Sequence, residues 1–270
     1  MSFTSSVLTL EVNDNIATLW LDRPEKHNAI SYEMWLDFPR AINAVAADKE
    51  VRALIIAARG DNFCVGIDLK SLGSAPDTAT ATGCLSQFET TKICQDATTA
   101  IANCPVPVIV ATQGYCLGAG VDLITACDIR LATANTLFGV RETKIGIVAD
   151  VGTLQRLPKI INPGHAAELV YTGRDFGAEY ALKVGLVTDV YPDAQATYDA
   201  AHKIAQEIAA NAPLAVRGSK FILQQSEDMT TEQSLLLNGL WTMTTSLNSN
   251  DLKEAMTAFA QKRPAQFTGS

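Results

Sequence analysis

Short apolar runs separated by helical stretches fill the first part of the chain. Residues 51–57, 106–111 and 129–132 read as strands, the second preceded by Pro105 and interrupted by Pro107. Residues 7–12 and 16–21 are β-rich and flank Asn13-Asp14-Asn15, a hairpin signal. Residues 31–46 place Trp35, Phe38, Ile42 and Val45 on one helical face. Strands alternating with helices confine this part to the α/β class, whose layers share one core. Near residue 195 the pattern changes to helix after helix, over 194–211, 213–225, 230–247 and 251–262. The expected organisation is a mixed core over residues 1–195 and a helical region over 196–270. No charge run or Pro/Gly linker divides them, so the helices are expected to pack on the core or on another subunit. The stretch 73–83, rich in Ser, Ala and Thr, is the least patterned part and reads as a mobile loop.

Composition removes several function classes. With 270 residues, 47% of them hydrophobic, the chain buries a sizeable core without staples. Its formal charge is −8, from 29 acidic against 21 basic residues. Nucleic acid and anionic membranes are therefore poor partners, although local lysines can still meet an anionic small molecule. Cys64, Cys84, Cys94, Cys104, Cys116 and Cys127 form no CxxC and fit no zinc spacing. His27, His165 and His202 stand at no ligand spacing, so neither a metal site nor a Ser–His–Asp triad is expected. No apolar run approaches the ~20 residues that span a bilayer. Without a signal peptide the thiols are expected to be free, and the protein cytoplasmic. Its last residues, Thr268-Gly269-Ser270, are not a Ser-Lys-Leu address.

Three segments could carry chemistry. Residues 63–69, Phe-Cys-Val-Gly-Ile-Asp-Leu, place a glycine inside an apolar stretch after a strand. Such a glycine marks an ordinary turn or aims a backbone N–H into a cleft. Residues 114–123 carry Gly118-Ala119-Gly120 at the start of an apolar helix, where free N–H groups favour negative charge. That is a candidate oxyanion site, although a lone GxG is weak, and the segment is neither a dinucleotide fingerprint nor a P-loop. Asp122 there could serve the helix dipole alone. Residues 140–153 hold Glu142 and Asp150 around the nearly uncharged run 145–149. Glu142 could pair with Arg141 or Lys144, and Asp150 could be an N-cap. Two carboxylates flanking an apolar loop can also form a tuned acid/base pair.

At these segments the chain resembles the enoyl-CoA hydratase/isomerase (crotonase) superfamily. The resemblance runs from Arg23-Pro24-Glu25-Lys26-His27-Asn28-Ala29 to Phe259-Ala260-Gln261-Lys262-Arg263. Its most specific parts are residues 120–130 and the block Ala149-Asp150-Val151-Gly152-Thr153-Leu154-Gln155-Arg156-Leu157-Pro158. Asp122, Glu142 and Asp150 match the acid types of one branch, the Δ3,5-Δ2,4-dienoyl-CoA isomerases. In the hydratases, glutamates stand at the positions of Asp122 and Glu142. The resemblance implies a spiral of repeated ββα units and a C-terminal helical region that forms trimers or paired trimers. It implies an oxyanion hole from the backbone N–H groups of Ile67 and Ala119, the latter often glycine in the family. It also implies CoA contacts at Lys26, Ala29, Val65, Ile67 and Lys262, the last reaching a phosphate from a neighbouring subunit.

The implied substrate is an acyl-CoA thioester, with coenzyme A part of the substrate and no separate cofactor. Glu142 is expected to act at C2, Asp150 at C6, and Asp122 between them. The run 145–149 is expected to exclude water and so favour isomerisation over hydration. A 2-enoyl-CoA hydratase is the alternative enzyme. A non-catalytic RNA-binding relative is the alternative of another class, and the acidic charge weighs against it.

Overall fold

The computed structural model describes residues 3–68, 70 and 77–270. A hairpin opens the chain, with β1 (Leu8–Asn13) antiparallel to β2 (Ile16–Leu21). Asp14 and Asn15 both take positive φ, the geometry of a primed two-residue turn that short Asx side chains tolerate. Helix α1 (Tyr32–Ala47) is capped by Ser31, whose hydroxyl accepts the Met34 N–H at 3.2 Å. Strand β3 (Ala53–Ala58) leads through the 63–68 segment to α2 (Ala81–Ala102). β4 (Val108–Thr112) and β5 (Tyr115–Leu117) run into α3 (Ala119–Thr125). β6 (Ile129–Thr133) and β7 (Leu137–Gly139) run into a 3₁₀ turn (Glu142–Ile145), then α4 (Thr153–Ile160) and α5 (Pro163–Thr172). β8 (Phe176–Gly177), α6 (Ala178–Val184) and β9 (Asp189–Tyr191) follow. The chain ends in α7 (Ala194–Ala209), α8 (Pro213–Ser226), α9 (Thr231–Trp241) with a π turn after it, and α10 (Asn250–Gln261).

The main sheet has the order β1-β2-β3-β4-β6-β9, parallel beyond the opening hairpin. A smaller sheet has the order β5-β7-β8. Successive strand–strand–helix units thus place one strand in each sheet, as with β4 and β5 and then β6 and β7. β3 is buried on both faces, which explains its unbroken apolar run. Leu54 and Ile56 join Trp35 and Phe38 of α1 in the larger core. Ala53, Ile55 and Ala57 meet Ala201 and Ala205 of α7 on the other face.

The change of composition near residue 195 is therefore not a change of packing partner, because α7 covers the main sheet. Beyond it, Leu235, Leu236, Leu240, Met243 and Phe259 remain exposed, while Trp241 packs at a tilt against Phe221 of α8. The expected mobile loop over 73–83 is corrected at its end. Thr80 caps α2 by accepting the Gly83 N–H at 3.0 Å, and residues 81–83 are already helical. Only Cys94, Ala97, Thr98 and Ile101 of this helix are buried, so its first half carries no core periodicity to read. Residues 73–76 lie outside the described residues. Five cysteines are buried and Cys84 is exposed, all six as free thiols. Among the described residues no helix is long and apolar enough to cross a membrane.

Candidate active site

Two backbone segments meet in the middle of the fold. Cys64 bridges Cys116 in parallel: its N–H donates to Tyr115 O and its carbonyl accepts the Leu117 N–H, both at 2.9 Å. Three residues on, Ile67 lies opposite Ile30. The Ile30 N–H donates to Gly66 O at 2.8 Å, and the Asp68 N–H donates to Ile30 O at 2.9 Å. In a parallel pairing of this kind the residue between those bonds turns its own N–H to the other side. The Ile67 N–H accordingly has no acceptor among the described residues. Ala119 is the first residue of α3, where a helical N–H has no partner within its own helix, and it too is unbonded among them.

Glycines let the parts come together. Gly118 has φ +50°, and a Cβ there would lie 3.2 Å from Glu142 Oε1 and 3.8 Å from the Gly66 Cα. Glu142 thus reaches the residue immediately before the free Ala119 N–H. Gly118 N–H donates to Gly139 O at 2.8 Å and ties this corner to β7.

Three carboxyl groups share one field. Asp122, in the first turn of α3, is 2% exposed. Its Oδ1 accepts both the backbone N–H and the hydroxyl of Thr153, each at 2.7 Å. Burial pushes its pKa up to about 7; the Thr153 donors oppose the rise, and repulsion from Glu142 and Asp150 adds to it. Glu142 is also pushed above the usual carboxylate range, mainly by burial and further by Asp150, and its buried Oε2 has no hydrogen-bond partner among the described residues. Asp150 is exposed, and its backbone carbonyl accepts Gln95 Nε2 at 2.8 Å.

The simpler readings of these acids do not hold. Asp122 does more than face a dipole, since it holds α4 from across the fold. Glu142 pairs with neither basic neighbour: Arg141 Nε and Nη2 donate to the two carboxylate oxygens of Asp175 at 2.7 and 2.5 Å. Asp150 is not the N-cap of α4. That residue is Gly152 at φ +129°, where a Cβ would collide with Arg156 Nη1 at 1.9 Å. The run 145–149 does not exclude water in the single chain either. Ile145, Ile147 and Val148 are 58%, 50% and 70% exposed among the described residues, because the 3₁₀ turn runs along the surface.

Most of the expected CoA-contacting residues lie together. Arg23 Nη1 donates to Ala29 O at 2.7 Å and its guanidinium pairs with Asp68 at 3.2 Å, joining residues 23–30 to 64–68. The Val65 N–H donates to His27 O at 3.3 Å. Lys26 is exposed at the end of a short 3₁₀ turn, with Ala29, Val65 and Ile67 next to it in this cluster. Lys262 stands apart, exposed just past α10, whose start is tied to the C-terminal tail by Asp251. A cavity of about 1550 Å³ opens between α2, α4, α7 and α8, lined among others by Gln95, Thr99, Arg156 and Leu223. Of the three acids, only Asp150 lines it.

Thr153 and the Arg141–Asp175 pair escape a reading of the sequence. Thr153 lies 31 residues from the carboxylate it holds, and Asp175 lies 34 residues from Arg141, with no spacing rule to link them.

Comparison with known proteins agrees with this architecture. A family model described as enoyl-CoA hydratase/isomerase matches residues 11–270. The chain is 37% identical over 269 residues to a peroxisomal Delta(3,5)-Delta(2,4)-dienoyl-CoA isomerase from Arabidopsis thaliana, covering 98% of this chain and 96% of the relative. It is 36% identical to a mitochondrial protein of the same description from Rattus norvegicus, covering 98% and 83%. A solved enoyl-CoA hydratase from Bacillus anthracis superposes with a TM-score of 0.91 at 27% identity, covering 98% of this chain and all of that one. The crotonase fold expected from the motifs is the fold present. The compartments named for these two isomerases give the cytoplasmic expectation no support.

Proposed function

The chain belongs to the enoyl-CoA hydratase/isomerase family, and on that premise we propose that it converts 3,5-dienoyl-CoA to 2,4-dienoyl-CoA. The observation that carries this reading is the third acid: Asp150 shares a field with Asp122 and Glu142 beside two free N–H groups. Relatives described as dienoyl-CoA isomerases support it.

The thioester oxygen would accept the Ile67 and Ala119 N–H groups, each donor worth about 3–4 kcal/mol for a developing enolate. Glu142 lies against Gly118, next to one donor, so its carboxylate is the group suited to the carbon beside the carbonyl. It takes the C2 proton. The C–H pair becomes the C2–C3 double bond, the C3–C4 pair moves to C4–C5, and the C5–C6 pair takes a proton at C6 from Asp150. Asp150 lines the large cavity, where an acyl tail extending past C6 has room. Asp122, raised to about 7, lies between them and is neutral for part of the time near neutral pH. Electrons are only redistributed, so the reaction calls for no redox cofactor or metal, and coenzyme A enters as part of the substrate. The exposed leucines of α9 suit assembly into a trimer or a pair of trimers, in which Lys262 would reach a CoA phosphate on a neighbouring copy.

The 2-enoyl-CoA hydratase reading draws on the exposed 145–148 run, which leaves water a way in, and on the solved hydratase with the same fold. It gives Asp150 no role. The test follows diene conjugation by ultraviolet absorbance beside hydration of a 2-enoyl-CoA. Asp150→Asn should lower isomerisation by about 10²–10⁴-fold. Its melting temperature should hold, because the Asp150 side chain caps no helix. Isomerisation at the wild-type rate in that variant, or faster hydration than isomerisation by the wild type, would overturn the proposal.

A further inference from the structure

Asp122 is buried, yet it lies in a helix of the sheet core while its partner Thr153 opens a different helix. The junction is unusual in what each side lacks. α4 begins at Gly152, a residue with no side chain to cap it, so the carboxylate of Asp122 supplies the acceptor instead. Both Thr153 donors converge on one oxygen, Oδ1, at 2.7 Å each. Oδ2 accepts nothing from the described residues, and it is not among their fully sealed, unpartnered polar atoms.

We infer that Thr153 is a positioning residue: by directing two donors at Oδ1 it favours Oδ2, the oxygen those donors leave free, as the site of a proton on Asp122. The reasoning is geometric. The backbone N–H can only donate, and while the hydroxyl also donates, Oδ1 has no lone pair left for a proton; a proton on Oδ1 would force the hydroxyl to turn from donor to acceptor. The proton of the neutral acid is therefore favoured on the other oxygen. Asp122 lies four residues beyond Gly118, close to which Glu142 Oε1 lies, and repulsion from Glu142 and Asp150 reaches it. Thr153 thus decides on which side Asp122 can exchange a proton with Glu142 and Asp150.

The other groups acting on Asp122 are fixed by the same packing. Glu142 comes from the 3₁₀ turn and Asp150 from the loop before α4, both raising its pKa. Arg156 comes from α4 and feels the charge of Asp122, as do the thiols Cys64, beside the N–H cradle, and Cys94 on α2. Thr153 is the hydrogen-bonding partner among them. Hydrogen bonds to the charged form lower a carboxyl pKa, so losing one of the two should raise it.

The inference rests on the isomerase reading for its catalytic part only, and two arms separate the outcomes. In the first, without substrate, the Asp122 carboxyl is titrated by its ¹³C resonance, assigned with Asp122→Asn. Thr153→Val keeps the shape and the backbone donor and removes the hydroxyl. It should raise the Asp122 pKa by about one unit, a tenfold change in proton affinity, and Thr153→Ser should restore it. In the second, the alkaline limb of kcat for 3,5-dienoyl-CoA should move with that titration, while KM changes less than twofold. An unshifted Asp122 titration in a folded Thr153→Val protein would overturn the inference, as would a shift that Thr153→Ser fails to reverse. A shifted titration in a protein that does not isomerise dienes would overturn the isomerase reading and leave the placement of the proton standing.

Discussion

The crossing of residues 64–67 with 117–119 and the arch of residues 142–152 meet at Gly118, but they are held in different ways. The crossing is held by main-chain hydrogen bonds between buried segments, and its two donors are backbone groups. The arch is held largely by side chains. Arg141 grips Asp175, the Thr143 hydroxyl donates to Val170 O at 3.0 Å, and the Thr98 hydroxyl donates to Val151 O at 2.7 Å. Its residues 143–148 are exposed. A donor cradle made of backbone survives most changes of side chain. An arch fixed by side chains can be retuned one residue at a time. A solved hydratase and this chain share one fold at 27% identity, as a frame held by main-chain bonds allows.

The strongest way to break the cradle is Gly118→Ala. A Cβ at φ +50° is strained, and it would crowd Glu142 Oε1 at 3.2 Å. Isomerisation should fall by about 10²–10³-fold, the usual result of losing an oxyanion donor. The expected signature is a loss in kcat larger than the loss in folding stability, compared through steady-state kinetics and a denaturant melt. A variant with normal kcat would show that the position of Gly118 does not govern the hole.

The seam between the two regions is read by pH. Asp122 has an ordinary value of 3.8 and is raised to about 7 when folded. Between those values the folded state keeps a proton that the unfolded chain has lost. The stability attached to this group is therefore complete below about pH 4 and declines as pH rises toward 7. Asp122→Asn keeps an acceptor for Thr153 and removes the titration. Unfolding free energies from urea melts at pH 4 to 8 should show the wild type losing ground to this variant by about 1.4 kcal/mol per pH unit between about pH 4 and 7, and little beyond. Parallel curves for the two proteins would mean that Asp122 ionises normally in the folded state.

The smallest effect tests the arch alone. Asp175→Asn should leave stability within about 1 kcal/mol, as expected for a half-exposed ion pair. It should still lower isomerisation about fivefold, because Arg141 precedes Glu142 directly and a misplaced base costs rate out of proportion to stability. The arginine holds the Asp175 carboxyl below the usual range, so the wild-type pair should persist well into mild acid. An unchanged rate in Asp175→Asn would mean that Thr143 and the 3₁₀ turn suffice to place Glu142.

The sequence by itself determined the α/β class, the opening hairpin, the helical end and the family, because these depend on local periodicity, turn residues and contiguous motifs. Asn13-Asp14-Asn15 announces its turn in the residues that make it. The motif around Gly118 likewise announces a helix start with free N–H groups. Only the tertiary structure decided that Asp122 caps α4 through Thr153, that Asp175 rather than Glu142 takes the Arg141 guanidinium, and that Asp150 opens toward a cavity. It also decided that the 145–148 run faces solvent, which its hydrophobicity argued against. Each of these is a pairing or an exposure between segments 30 or more residues apart or across layers. A hydrogen bond has no signature in spacing once its partners sit on separate elements, so the packing of those elements had to be known first.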